Sequence, residues 1–546
     1  MKKLPLVIGL VIALMFALTT LGLAQSVNAC RSNRNGDLRY VSDASQCTKS
    51  ETFMSWDLAG PQGPPGPPYA AVHDQLRNVG IMFGQLAFMN SFPADAFNAL
   101  HCTAGSGAIS VTLNQVNYVG TAFIGRDEIS SPHGYHAGFK SNTAVDPNTL
   151  LGIQAVVNIT SGGLQATFTG IVGKAGLVAV ESGVYTYALV ITAPIGILGE
   201  TSRYRIWRNK TVPDIVKQAL QESGISAFLF QLIKQYPIRE FIMQYDETNL
   251  NFVSRLLEEE GIHYYFDNNA GKIVLSDSGL SNGILSGTPQ YKGHLIGPTG
   301  SEAVVTGLYA AKGRPNASFS VDSYNFETPD LNLLMTVTAD GVGDVYEFAQ
   351  GVLDPNTSLG RATLIRNRSV VSANQLTGTG NSPSFRAGQR VNIQDTSGGT
   401  FTGTYLLTRV DHVAVYDAQN QCVTYANHFE ATSQVQIYTP PRKTPVPKVG
   451  GVTTATVVGP AGATQWVDKH GRIKVQFHWD LEGQFDENSS AWVRVMIPAG
   501  KLEDTSLYIP LMGTEVVVGF LQGDPSLPIV VGSVYNGTHM PPVALP

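Results

Sequence analysis

From Leu4 to Leu23 nearly every position is apolar, while farther along the chain apolar residues recur with short periods. Met1-Lys2-Lys3 puts positive charge before the apolar run, and Gly22-Leu23-Ala24 supplies small residues after it, which is the layout of a secretory signal. At about 20 residues the run is also long enough to span a bilayer as an uncleaved anchor. Residues 1–24 are therefore read as a signal peptide or N-terminal anchor. Asn28-Ala29-Cys30 is a poor match to a lipoprotein signal. No other stretch of the sequence is long and apolar enough to cross a membrane as a helix.

From about residue 69 to 200 the pattern alternates. In Val184–Ile191, Tyr185, Tyr187, Leu189 and Ile191 share one strand face. Gly and Asn between such runs mark turns. Residues 203–278 switch to helical spacing. Val212-Pro213-Asp214 opens a helix with Ile215, Val216, Ala219 and Leu220 as its stripe, and Gly224 ends it. Leu250, Val253, Leu256 and Leu257 mark a second helix that runs into Glu258-Glu259-Glu260-Gly261. A strand at Ile262–Phe266, a turn at 268–271 and a strand at Lys272–Leu275 follow. Near the C-terminus, Ile473, Val475, Phe477 and Trp479 alternate with Arg472, Lys474, Gln476 and His478, the signature of a half-buried strand. Val493, Val495 and Ile497, then Val516, Val518 and Phe520, continue it. Several short strands with tight turns in about 90 residues predict a small barrel.

Composition narrows the class. The chain has 546 residues, which suggests about three domains. Charged residues are 14 % of the chain against about 25 % in an ordinary domain. There are 56 glycines, and the net charge is −6. This excludes a coiled coil or a charged disordered chain. It also argues against nucleic acid as a partner, because phosphate binding needs a concentrated basic surface. Residues 25–68 are read as a Cys-containing polar segment and a linker. Gly60, Gly63 and Gly66 repeat every third position with Pro between them, which is the collagen pattern. Three triplets are too few for a stable triple helix, so a stiff polyproline-like linker is expected. Of the four cysteines, Cys30 and Cys47 flank a short polar stretch and form the candidate disulfide. Cys102 and Cys422 read as buried small apolar residues.

The 203–278 region also carries a longer string. It comprises Arg239-Glu240, Gln244-Tyr245-Asp246-Glu247, Asn251-Phe252-Val253, Arg255 to Ile262 and Tyr264-Tyr265-Phe266. This string resembles the hub region of VgrG, the spike protein family of type VI secretion systems. Ser202–Trp207, Asp214-Ile215-Val216 and Tyr405–His412 fit the same pattern. Val457–Pro460, Asp468–Asp480, Trp492–Val495, Gly513–Val518 and Gly523-Asp524-Pro525 resemble the oligonucleotide/oligosaccharide-binding (OB) barrel of that family and of phage tail spikes. The resemblance implies a mainly β chain with some α. Tail hub-like barrel domains at 69–450, best matched over 200–412, would be followed by an OB-fold spike domain at 451–546.

Searching for chemistry yields no catalytic, cofactor or metal site. His478 beside Asp480 reads as a strand residue rather than an acid–base pair. Glu258, Glu259 and Glu260 point in different directions on a helix and read as a solvated helix end. Ser106 lacks a nucleophile elbow. His133, His136, His263 and His412 lack metal-ligand spacing. No cofactor and no enzymatic activity are expected.

What the resemblance implies is mechanical. Members form homotrimers whose hub closes a pseudo-sixfold ring against a hexameric, Hcp-like tube, alongside baseplate components and with effectors as cargo. Two departures stand out. The family usually continues into a β-helix needle, and here Pro546 comes where that needle would begin. Members are also assembled in the cytoplasm and then ejected, whereas this leader suggests export to the envelope or beyond. The alternative is an exported trimeric surface adhesin or binding module with a collagen-like leader.

Overall fold

The computed structural model describes residues 105, 107–292, 302–497 and 509–543 in full, and the backbone of residues 26–32, 38–40 and 51–57. The chain divides into two compact units, Met1–Ala71 and Val72–Pro546.

In the first unit, β1 (Ser26–Ser32), β2 (Leu38–Tyr40) and β3 (Glu51–Asp57) form an antiparallel sheet in the order β2-β1-β3. The polar segment and linker expected at 25–68 thus includes a small sheet. A seven-residue strand with only Val27, Ala29 and Cys30 apolar gives little periodic signal. The apolar run 4–23, the Gly-Pro-Pro repeats and Cys47 lie outside the described residues, as does the Cys30 side chain.

Within the second unit, the first described strands form a closed barrel. Its strands are β4 (Gly107–Leu113), β5 (Val116–Glu128), β6 (Gly134–Ser141), β7 (Gln154–Ser161), β8 (Leu164–Glu181) and β9 (Val184–Thr192). They pair round the ring as β5-β4-β7-β8-β9-β6 and back to β5. Alternation explains the closure. Ile109, Val111 and Leu113 on β4 and Ala155, Val157 and Ile159 on β7 are all buried, with their neighbours in sequence facing out. Phe123, Phe139, Phe168 and Tyr187 fill the middle. Full burial of each such side chain is worth about 1.5–3 kcal/mol.

A mixed α/β subdomain follows. It contains β10 (Ser202–Lys210), α1 (Val212–Glu222), β11 (Phe228–Gln231), β12 (Arg239–Thr248), α2 (Asn249–Glu260), β13 (His263–Asp267) and β14 (Lys272–Ser276). The Thr211 hydroxyl caps α1 through Asp214 N, and Thr248 caps α2 through Asn251 N. Gly261 ends α2 at φ +74°, a left-handed conformation that suits glycine. The expected stripes are buried: Ile215, Val216, Ala219 and Leu220 on α1, and Val253, Leu256 and Leu257 on α2.

A second barrel then forms from β15 (Gln290–Tyr291), β16 (Val304–Lys312), β20 (Asn374–Gly380), β21 (Arg390–Asp395), β22 (Gly403–Asp417) and β23 (Cys422–Thr432). Its ring order is β22-β21-β15-β16-β20-β23 and back to β22. Between β16 and β20 the chain makes a small sheet of β17 (Ser318–Asp322), β18 (Met335–Thr338) and β19 (Asp344–Phe348), then α3 (Pro355–Ser372). Val321, Ala349, Val352 and Ala362 form its core.

The two barrels share one seam. On one edge, β5 pairs with β4 through Val116–Val119 and then with β22 through Ala122–Glu128. β22 does the mirror operation, pairing with β21 through 403–406 and then with β5 through 409–415. Each strand thus begins in its own barrel and ends bonded to the other.

The last barrel contains β24 (Thr453–Val458), β25 (Lys474–Phe477), β26 (Arg494–Val495), β27 (Glu515–Phe520) and β28 (Pro528–Val534), in the order β25-β24-β27-β28-β26. Ile473, Val475, Phe477, Val493, Val516, Val518 and Val530 form its core. One expected outward residue turns in. Gln476 is fully buried, because its amide nitrogen donates to Phe477 O at 3.3 Å and Asp480 O at 3.1 Å. Among the described residues, no helix is long and apolar enough to cross a membrane.

Candidate functional site

The seam between the first two barrels holds a buried polar cluster. Tyr135 OH donates to Asp127 Oδ1 at 2.5 Å, and His412 Nε2 lies 3.2 Å from Asp127 Oδ2. Burial alone would raise the Asp127 carboxyl. The His412 hydrogen bond and the Arg386 guanidinium, with Nε 3.7 Å away, outweigh it and hold the carboxyl at about 2. An ionised carboxylate only accepts, so His412 donates through Nε2, and its Nδ1 accepts from Tyr425 OH at 2.6 Å. Burial pushes His412 below its ordinary value and takes His133, stacked on Tyr135, down to about 4. The arrangement superficially resembles an acid–base relay. Tyr425 is buried at its end with its phenol pushed up by burial, so this chain of hydrogen bonds does not end on an exposed hydroxyl. It is a clasp: β5, β6, β22, β23 and the Arg386 loop all contribute to it.

The opposite face of the seam is also charged. Asp411, itself buried, pairs with Arg126 and Arg409, both at 2.6 Å, and Arg409 reaches Glu430 at 3.1 Å.

The Glu258-Glu259-Glu260 run is not a solvated helix end. Glu258 is buried and caps the backbone of Lys443 and Thr444. Glu259 pairs with Arg239 and Arg361 at 3.3 Å each, and Glu260 with Arg239 at 2.5 Å. Burial would raise Glu259, but the Arg239 and Arg361 guanidinium groups hold it at about 2. Glu259 and Glu260 converge on Arg239, while Glu258 turns to the segment at Lys443 and Thr444.

Among the described residues, two side-chain joints tie the last barrel to the rest of the unit. At the first, Tyr204 and Tyr245 meet Trp479, with ring centroids 5.5 and 6.2 Å apart. There Met243 enters the barrel core, its N–H donates to Ser526 Oγ at 3.1 Å, and Arg205 reaches Glu482 at 2.9 Å. At the second, the Phe326 ring lies under Arg494 and Arg472, 4.7 and 5.3 Å from their guanidinium carbons, and Glu327 pairs with Arg472 at 3.1 Å.

This architecture matches known proteins. A family described as the phage tail baseplate hub (GPD) matches residues 126–418, more than half of the 546 residues. A second, the type VI secretion system/phage-baseplate injector OB domain, matches 457–535. The type VI secretion system spike protein VgrG1a of Pseudomonas aeruginosa is 30 % identical over 456 residues, covering 77 % of this chain and 68 % of that protein.

The chain belongs to the VgrG spike family.

VgrG1b of Pseudomonas aeruginosa is 31 % identical over 448 residues, covering 77 % of this chain and 59 % of its own length. The chain thus spans about three-fifths of that relative. The actin cross-linking toxin VgrG1 of Vibrio cholerae is 31 % identical over 379 residues, only 34 % of its length. In fold, the E. coli c3393 protein, a type VI secretion component, superposes with a TM-score of 0.56 at 22 % identity, covering 78 % of this chain and 99 % of that one.

The VgrG-like string of 239–266 owes its pattern to these contacts. Arg239 serves Glu259 and Glu260, Gln244 reaches Asn249 at 2.9 Å, Tyr245 meets Trp479, and Glu247 pairs with Arg255 at 2.7 Å in a buried ion pair. Other sequence candidates fall differently. His133 and His412 come together around Asp127. His263 is elsewhere, its Nε2 3.1 Å from Asn282 Oδ1. His478 lies 3.7 Å from Glu515, not on Asp480, which instead accepts from Glu482 N and Gly483 N. Among the described residues, no group of three or more His, Cys, Asp or Glu is placed to hold a metal. Ser106 and Cys102 lie outside them. Cys422 corrects its reading: it is buried but disulfide-bonded, with its partner outside the described residues. Asp127, Arg386 and Phe326 carry no local signal in the sequence, because His412 and Arg386 lie far from Asp127, and Arg472 and Arg494 far from Phe326.

Proposed function

We propose that the chain is a structural spike hub of a contractile injection apparatus. Three copies would cap a hexameric, Hcp-like tube next to the baseplate, and the last barrel would lead the assembly toward a target membrane. One observation carries this reading. The described residues of a single chain form two six-stranded barrels joined edge to edge, so three chains supply six such barrels, the number a sixfold tube end presents. The two joints to the last barrel support a mechanical role, since a thrust delivered to the hub must reach that barrel without slippage. We assign no catalytic step to this chain and propose effectors as cargo carried with it.

The leader at 1–24 is proposed to direct export. The Cys422 disulfide supports folding in an oxidising compartment. N-terminal sequencing of protein recovered from envelope and cytosol fractions tests this point. The Cys30–Cys47 bridge remains a proposal for the same compartment, tested by mapping disulfides in peptide digests.

The function is tested by co-purification with the hexameric tube protein. Light scattering is expected to report a trimer that elutes with tube hexamers. A chain that is monomeric, or trimeric without affinity for tubes, contradicts the proposal.

A further inference from the structure

The buried Gln476 amide holds a loop of the last barrel in a fixed shape. Its Nε2 donates to Asp480 O at 3.1 Å, just after β25, and its Oε1 accepts from Phe485 N at 3.4 Å. One side chain therefore pins both ends of residues 481–484. Gly483 lies against the same amide. A Cβ there would sit 2.0 Å from Gln476 Oε1 and would push the amide off its partners. Asp480 Oδ1 accepts from the N–H groups of Glu482 and Gly483, and the Glu482 carboxylate reaches Arg205 at 2.9 Å.

This pinned loop holds its apolar residues out in solvent. Leu481 is 94 % exposed and Phe485 is 60 % exposed. A single exposed leucine needs no explanation. Phe485 does, because its φ is +57°, a conformation that bulky residues rarely adopt. Burial within the chain does not offset that strain, since the ring stays mostly exposed. Strain held at a residue that the fold does not use points to a use outside the fold. The loop also carries charge of one sign. Residues 480–487 include Asp480, Glu482, Asp486 and Glu487, and no base.

We propose that this loop is a docking knob for a different protein, with Leu481 and Phe485 entering an apolar pocket rimmed by Lys or Arg. Shape and charge select that occupant. A loop that projects Leu481 almost wholly into solvent is convex, so the surface that receives it is concave. The acids call for a basic rim, because opposite charges around an apolar contact steer and orient docking. The same acids disfavour a lipid surface, whose anionic headgroups repel them. The Gln476 anchor adds preorganisation: a loop already fixed loses little conformational entropy on binding. The inference uses this loop alone and stands apart from the spike reading above.

Photo-crosslinking from the loop tests this in cells that make the full chain. The photoreactive amino acid p-benzoylphenylalanine replaces Leu481, Phe485 or, as a control on the same barrel, the exposed Lys469. One protein, distinct from this chain, is expected to be captured from both 481 and 485, at least tenfold above the 469 control. Mass spectrometry is expected to place the attachment on apolar residues with Lys or Arg beside them. The captured protein, purified, is then titrated against the full chain. Phe485→Ser and Glu487→Lys are each expected to weaken binding at least tenfold, with circular dichroism unchanged. Cross-links to lipid, to a second copy of this chain, or to nothing above the control overturn the proposal. So does a captured protein that attaches elsewhere than such a pocket, or that binds both variants as tightly as the unchanged chain.

Discussion

The Glu258 carboxylate holds the backbone of Thr444, 186 positions later. Oε2 accepts from the N–H groups of Lys443 and Thr444 at 3.0 Å each, and Oε1 from the Thr444 hydroxyl at 2.7 Å. A carboxylate at the end of α2 therefore fixes the segment that leads into the last barrel. Glu258→Ala strands these donors, each costing about 1–3 kcal/mol. Denaturant unfolding is expected to show the loss, and limited proteolysis to cut first near residues 440–448.

Arg255 and Glu247 are 7 and 4 % exposed and pair at 2.7 Å. Arg255→Met leaves a buried carboxylate uncompensated and is expected to cost about 3–5 kcal/mol. Adding Glu247→Leu to the same chain should recover part of that loss. A double-mutant cycle in urea measures this coupling, and strict additivity of the two losses would rule it out.

Acid should loosen the molecule in a defined window. His133 and His263 titrate near 4 in the folded chain because burial disfavours their charged forms, against an ordinary 6.5. Between those values the unfolded chain binds more protons, so stability falls as pH drops from about 6.5 toward 4. Asp127, held at about 2 from an ordinary 3.8, acts in a lower window: its contribution is complete above 3.8 and is lost as pH falls through 2. Thermal melts from pH 7 to 4 should therefore decline, and His263→Gln should flatten the slope.

The Phe326 joint is separable from the fold of the barrels. Phe326→Ala removes two guanidinium–ring contacts, each worth about 0.5–2 kcal/mol. Circular dichroism should be unchanged. Small-angle scattering should report a wider spread of overall dimensions, because that joint is left with only the Glu327–Arg472 ion pair. An unaltered scattering curve would show that the aromatic joint at Trp479 suffices alone.

Much of this architecture was legible in the chain. The alternation at 184–191, the caps and stripes of α1 and α2, and the turn chemistry at 268–271 all act locally, so each segment states its own structure. Long-range partnerships did not show. Nothing near Glu258 indicates Thr444, and nothing near Asp127 indicates His412 or Arg386. Polar residues read alone look solvated, which is why the Glu258–Glu260 run and Gln476 were misjudged. α3 was also silent, because Arg361, Arg366, Asn367 and Arg368 interrupt its apolar positions. The barrel domains were legible through the resemblance to the VgrG hub, but the strand pattern alone did not show the seam between them, because β5 and β22 lie almost 300 residues apart and change partners midway.

Electron cryo-microscopy of the purified chain mixed with its hexameric tube protein tests the central claim most directly. The account predicts a threefold-symmetric ring of six barrels seated on one end of the tube, with the last barrels gathered on the far side. Tube ends without added density, together with a chain that remains single particles of monomer size, would contradict it.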